Sequence, residues 1–267
     1  GTYRGFINKL AHIKWTVGCN AIELLPIHEV GNVEPPYQQS ALMPNEQWIK
    51  NTWNPYSWNH WGYMTSNFFA VDSMYATGHS KKAGDWNGLD GRQLKEFKQL
   101  VDACHAQGIA VILDVVYNHV SQYDENSLKV IDYNYYFRSV AKSGCGNDFM
   151  TERPMARKLI IDSLKYFVQE CNVDGFRFDL AGLIDHETGV QIKKEVEKVH
   201  PGVLLIAEPW VGRYCPTEYS EIGWASWNDR FRNDVKGGDG NAGGYGGSFI
   251  YGKASGSSLK LGVAGTL

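Results

Sequence analysis

Three short apolar runs, each ending in a knot of polar residues, constrain this chain more than any other feature. They are Gly108-Ile109-Ala110-Val111-Ile112-Leu113-Asp114-Val115-Val116-Tyr117-Asn118-His119, Val173-Asp174-Gly175-Phe176-Arg177-Phe178-Asp179 and Leu204-Leu205-Ile206-Ala207-Glu208-Pro209-Trp210. The continuous apolar stretch of the first reads as a strand buried on both faces, the habit of parallel sheets. Between the second and third lie an amphipathic helix, about Thr188 to His200, and a Pro-Gly turn. A strand, a crossover helix and a second strand make a β-α-β unit.

Side chains alternate along a strand, so Arg177 and Asp179 share one face while Phe176 and Phe178 take the other. A guanidinium beside a carboxylate favours its charged form, whereas the apolar company of Pro209 and Trp210 favours the protonated form of Glu208. One charged and one protonated carboxyl on neighbouring strand tips are the nucleophile and general acid/base that glycoside hydrolysis requires. A strand-end carboxylate is also commonly a helix cap or a solvated loop residue. The first run, Gly108 to His119, shifts the balance, because its polar residues also collect at the C-terminal end, where α/β barrels carry their chemistry.

LDVVYNH, DGFRFD and IAEPW together resemble glycoside hydrolase family 13, the alpha-amylase superfamily. The resemblance implies an α/β fold, the (β/α)8 TIM barrel, with Asp179 as nucleophile and Glu208 as general acid/base. It implies that Arg177 holds Asp179 charged, that Asn118 and His119 line the sugar next to the cleaved bond, and that Asp114 buttresses the site. For Asn118 and Asp114 a capped strand end is an equal alternative. Trp61-Gly62-Tyr63 followed by Asn67-Phe68-Phe69 resembles the family segment whose Tyr stacks on the sugar at the cleavage point, which assigns that role to Tyr63. Trp210 joins the substrate-binding set, and Trp53, Trp58 and Trp61 are further sugar platforms or packing at the barrel rim.

Taken in order, residues 2 to 15 read as a helix with Phe6, Leu10 and Ile13 at helical spacing, and Asn20 to Pro26 as a strand stopped by proline. NAIELLPIHEV resembles the second barrel strand of the family. The segment from Gly31 to about Asp90 is too long for a bare connection and is expected to be functional. Leu94, Phe97, Val101 and Cys104 define a helix over residues 91 to 107, ended by Gly108. The resemblance further implies that residues 120 to 152 are a loop or small subdomain inserted after the third strand. There SGCGNDF, followed by the helical ERPMARKLIIDSLKYFVQE, looks most like the isoamylase and pullulanase type, which hydrolyses alpha-1,6 branch points. Gly146-Asn147-Asp148 is also an ordinary turn by composition. No spacing resembles an EF-hand, so calcium, which some relatives bind nearby, has no assigned ligands, and no cofactor or metal is expected. IGWASWNDRFRNDVKGG resembles the debranching pattern that leads toward the sixth strand, and the tail from Gly237 is rich in Gly and Ser.

Composition excludes more than it identifies. A formal charge of -3 leaves no electrostatic footprint for nucleic acid or an anionic membrane. No apolar run approaches the ~18 residues of a membrane span. Five scattered Cys without a CxxC pair argue against disulfides or zinc and favour a reducing compartment such as cytoplasm or plastid. The expected partner is an alpha-glucan polysaccharide; oligomeric state is not legible.

The family pattern also has a gap here. No His-Asp dipeptide, the mark of the family's third carboxylate, occurs in the sequence. The resemblance runs from the first barrel helix to just past the fifth strand, so residues 1–267 are expected to be a partial barrel, inactive when prepared alone. The rival readings are alpha-1,4 hydrolysis or branching by transfer in the same family, and a carbohydrate-binding or scaffolding chain that kept the barrel and lost catalysis.

Overall fold

The structure, a computed structural model, describes residues 1–30, 61–80, 87–121, 126–211, 216–229, 231–232 and 260. Trp53, Trp58, Cys215 and the tail from Gly237 apart from Lys260 lie outside the described residues.

Five strands form one parallel sheet: β1 (Ala21–Leu24), β4 (Ala110–Val115), β5 (Gly175–Phe178), β6 (Leu204–Ala207) and β7 (Ala225–Ser226), in that spatial order. Two others, β2 (His28–Val30) and β3 (Thr65–Val71), pair antiparallel as a separate ribbon. Helices α2 (Arg92–Ala106), α4 (Pro154–Cys171) and α5 (His186–Glu197) are the crossovers that parallel pairing requires. This α/β arrangement is part of a (β/α)8 barrel.

The register explains how one sheet face becomes core and the other a site. The rows Leu113-Phe176-Leu205 and Val115-Phe178-Ala207 run across neighbouring strands and are almost fully buried. They pack in one cluster with Leu100, Val101 and Cys104 of α2, Ile160, Leu164 and Phe167 of α4, and Ile192 and Val196 of α5. Because side chains alternate, the intervening rows face the other way. Those rows are Glu23-Ile112-Gly175-Leu204 and Asp114-Arg177-Ile206, and they put the charged groups inside the curve of the sheet.

Local chemistry sets the helix ends. Gly108 takes φ 63°, where Cβ is unwelcome, and turns the chain from α2 into β4. Pro154 opens α4, and the Asp185 carboxylate caps α5 by accepting from the Thr188 N–H at 3.0 Å. The N-terminal region differs from the continuous helix expected over residues 2 to 15. It is a short α1 (Tyr3–Ile7) followed by a separate π-helical turn, His12–Val17, ending at Gly18 with φ 80°. Leu10 is buried as its spacing implied, but Trp15 and Val17 stand exposed. After Tyr117, residues 126 to 152 contain α3 (Ser127–Tyr136) and return to the barrel through bridges of His119 to Asp148 and Phe137 to Phe149. Among the described residues no helix is long and apolar enough to cross a membrane.

His28 carries a cost for this core. It is 1% exposed, surrounded by Phe68, Tyr117 and Phe167, and neither ring nitrogen has a hydrogen-bond partner. Burial pushes its pKa down to about 3. The unfolded chain binds this proton near pH 6.5 and the folded one does not, so stability contributed above pH 6.5 is lost as the pH falls toward 3. The slope expected from this one group is about 1.4 kcal/mol per pH unit. Urea denaturation of His28→Phe between pH 4 and 7 should show a flatter dependence than the parent. An identical slope in both would mean that His28 is not the acid-sensitive group.

Candidate active site

The site lies at the C-terminal tips of β4, β5 and β6 and is organised by Arg177, which is 2% exposed. Its Nη1 donates to Asp114 Oδ1 at 2.7 Å and lies 3.3 Å from Asp179 Oδ1, while Nη2 pairs with Glu208 Oε1 at 2.6 Å. Three strands therefore each contribute one carboxyl group to a single guanidinium. The sequence reading paired Arg177 with Asp179 alone. The structure draws it more closely to Asp114 and Glu208, because the parallel register sets Asp114 beside Arg177 on one side and the end of β6 on the other.

Asp179 and Glu208, at the tips of neighbouring strands, share the Arg177 guanidinium between them. Burial raises the Glu208 pKa, aided by the Asp179 charge and opposed by the Leu180 N–H and Arg177. That N–H reaches Glu208 Oε2 at 3.0 Å from a residue in the left-handed region, φ 41°, a conformation that costs a non-glycine residue on the order of 1 kcal/mol. The bond from Ala181 N–H to the Glu208 carbonyl, 2.8 Å, holds the same turn. Gly182 completes it: a Cβ there would meet the carbonyl oxygens of Trp210 and Val211, so the loops after β5 and β6 touch only because this residue has none.

Asp114 also accepts from the Tyr63 hydroxyl at 2.6 Å, and burial pushes its pKa up to about 7 against the pull of Arg177. Burial and this hydrogen bond raise the Tyr63 phenol. Asn118 donates through Nδ2 to both the backbone carbonyl of Asp179, 2.8 Å, and its Oδ2, 2.9 Å. Its Oδ1 lies 2.6 Å from His119 Nδ1, and His119 Nε2 lies 2.8 Å from the Tyr63 carbonyl. Donating to both oxygens takes a doubly protonated ring, and burial works against that by lowering the His119 pKa. His119 is 1% exposed with both ring nitrogens held by protein, so here it braces Tyr63 against Asn118. Trp210 lies beside the site with its ring centroid 6.1 Å from that of Trp227.

All eight residues singled out from sequence, Tyr63, Asp114, Asn118, His119, Arg177, Asp179, Glu208 and Trp210, meet in this one region. Two neighbours were missed. Trp227, immediately after the two-residue β7, lies with its ring 4.5 Å from the Arg177 guanidinium carbon; so short a strand leaves no alternation to reveal it. Cys145 stands near enough to Asp179 for that charge to add to the effect of burial in raising its thiol pKa. Its loop is anchored by Asp148, which accepts from the N–H groups of Lys142 and Ser143. Among the described residues no group of three or more His, Cys, Asp and Glu side chains is arranged to hold a metal ion.

If Arg177 offsets three buried carboxyl groups, Arg177→Met should destabilise the protein by about 3–5 kcal/mol at pH 8, the usual effect of stranding buried charge. The loss should shrink at pH 5, where Asp114 and Glu208, both raised by burial, take up protons and shed their charge. Urea midpoints at the two pH values measure this, and an equal loss at both would rule out charge compensation.

The alpha amylase catalytic-domain model matches residues 1–145. The chain is 33% identical over 289 residues to Isoamylase 1, chloroplastic, of Arabidopsis thaliana, covering 92% of this chain and 35% of that protein. It is 33% identical over 252 residues to the pullulanase of Bacillus subtilis (strain 168), covering 88% of this chain and 31% of that one. The crystal structure of the Paenibacillus barengoltzii pullulanase, in complex with maltohexaose and alpha-cyclodextrin, superposes with a TM-score of 0.68 at 31% identity, covering 86% of this chain and 34% of that one. The chain thus spans about a third of the length of the relatives it matches. With its parallel sheet, its carboxyl-bearing strand tips and this match over more than half its length, the chain belongs to the alpha-amylase catalytic-domain family.

Proposed function

We propose that the protein carrying this chain is a retaining glycoside hydrolase that cuts alpha-1,6 branch linkages in starch- or glycogen-type alpha-glucans. The observation that carries this reading is the pair Asp179 and Glu208, on adjacent strand tips and bridged by one guanidinium. Inverting enzymes leave room for a water between their carboxyl groups, and retaining ones bring the pair closer so that one can bond to the sugar. The likeness to proteins named isoamylase and pullulanase supports the choice of branch linkage.

In this reading Glu208 holds its proton through burial and gives it to the departing glycosidic oxygen while Asp179 attacks the anomeric carbon. The sugar is then bonded to Asp179, and Glu208, now ionised, takes a proton from the water that releases it. Arg177 holds both carboxyl groups in place, with Asn118 fixing the second oxygen of Asp179. Asp114 ties Arg177 to Tyr63, whose ring offers its face to the sugar. His119 braces that Tyr through its backbone, and Trp210 lines the cleft beside Glu208.

Three outcomes follow for the full-length enzyme. Asp179→Asn should lower kcat by about 10³-fold or more while glucan binding persists, since it removes a group needed only in the chemical step. Glu208→Gln should cost about 10²–10⁴-fold, the range of general acid catalysis. The alkaline limb of the parent's kcat/KM profile should follow loss of the Glu208 proton, with activity falling as pH rises through its elevated pKa. Product analysis decides the linkage: debranching raises iodine colour and leaves linear maltooligosaccharides intact. Shortening of linear chains would overturn the alpha-1,6 assignment, and Asp179→Asn turnover within tenfold of the parent would overturn the nucleophile.

A further inference from the structure

Arg177 offers one donor that nothing in the described structure accepts. Its Nε is buried without a hydrogen-bond partner, although the two terminal nitrogens are tied to carboxyl groups. An unpaired donor on a buried cation ordinarily draws in water. What covers the guanidinium instead is aromatic: the Trp227 ring at 4.5 Å and the Tyr63 ring at 6.0 Å. Trp227 is positioned from behind. Its backbone N–H donates to the Ala207 carbonyl at 3.0 Å, next to Glu208, and its ring meets Trp210 edge to face, with Arg232 lying over the far ring at 5.6 Å. Trp227 is nevertheless 39% exposed, so it stands between the buried carboxyl cluster and solvent.

We propose that Trp227 is a positioning residue for the hydrolytic reaction: its indole covers the Arg177 guanidinium, keeps water from the buried cluster, and fixes the fork that holds Glu208 and Asp179. A cation over an indole face is favoured most when both are desolvated, and a planar guanidinium stacks there without giving up its in-plane hydrogen bonds. The contact therefore restrains Arg177 without competing with its carboxyl partners.

The groups facing this cation come from every strand around it. They are Asp114 on β4, Asp179 after β5, Glu208 after β6, Tyr63 ahead of β3, and Glu23 on β1, whose charge also interacts with Arg177. Beyond them, His119 and Cys145 interact with Asp179. The group expected to respond most is Glu208, because burial is the main influence raising its pKa. Removing the indole admits water to that carboxyl group, so its pKa falls and it loses its proton at lower pH.

This rests on the reading of Glu208 as general acid/base, and two readouts on the full-length protein keep the claims separable. The first is a carboxyl 13C NMR titration of Glu-labelled protein, with the Glu208 signal assigned by its loss in Glu208→Gln. The second is the pH profile of kcat and KM on a branched glucan. Trp227→Phe should resemble the parent in both. Trp227→Leu is smaller than the indole and has no π face, so it leaves the guanidinium partly uncovered; it and Trp227→Ala should lower the Glu208 pKa and lose about tenfold or more in kcat, the scale of a desolvated cation–π contact. KM should change little. Should the Ala variant fail to fold, the Phe and Leu pair still tests the ring.

A Glu208 titration unchanged in Trp227→Leu overturns the proposal whether or not the parent turns over glucan. A raised KM with unchanged kcat and titration overturns it too, making Trp227 a sugar platform. A parent without debranching activity defeats the functional reading, while the NMR titration continues to judge Trp227.

Discussion

A single guanidinium, that of Arg177, joins the tips of three neighbouring parallel strands. Asp114, Asp179 and Glu208 each place a carboxyl oxygen against it, and all four residues are less than a tenth exposed. One positive charge among three carboxyl groups is not a balanced account in a low-dielectric interior, and the imbalance has a chemical result. Burial drives Glu208 and Asp114 toward their protonated forms although a cation touches both. The need to satisfy Arg177 and the need to keep an acid protonated are met by the same arrangement.

The remainder of the fold can be understood as what makes that arrangement rigid. The outer rows of the sheet, Leu113-Phe176-Leu205 and Val115-Phe178-Ala207, are clamped under α2, α4 and α5, which fixes the inner rows by alternation. Secondary contacts then lock each polar tip: Asn118 on Asp179, the left-handed Leu180 turn on Glu208, Tyr63 on Asp114. Positions set by packed strands are held more tightly than loops allow, and a reaction in which an acid and a nucleophile act on one bond needs that precision.

Much of this was legible in the sequence. Continuous apolar runs ending in polar knots give buried parallel strands with functional tips, and helical spacing gives the crossovers. Alternation separated Phe176 and Phe178 from Arg177 without any structure. Short or irregular elements were less legible. The region read as one helix over residues 2 to 15 contains an α-helical turn and a π-helical turn, because Phe6, Leu10 and Ile13 fit helical spacing regardless of how the backbone between them is hydrogen-bonded. Trp227 escaped because a two-residue strand has no period.

The sequence by itself determined which groups could do chemistry and on which face of each strand they stand, since residue type and alternation are local properties. Only the tertiary structure decided whom each group meets. The parallel register set Asp114 across from Arg177, and the crossovers brought Glu208 to the other arm of the fork. Chain reversals of more than fifty residues placed Tyr63 on Asp114 and on His119. Partner identity depends on register and on the path of the chain, which are fixed by the packing of the whole sheet under its helices. No window of sequence contains that information.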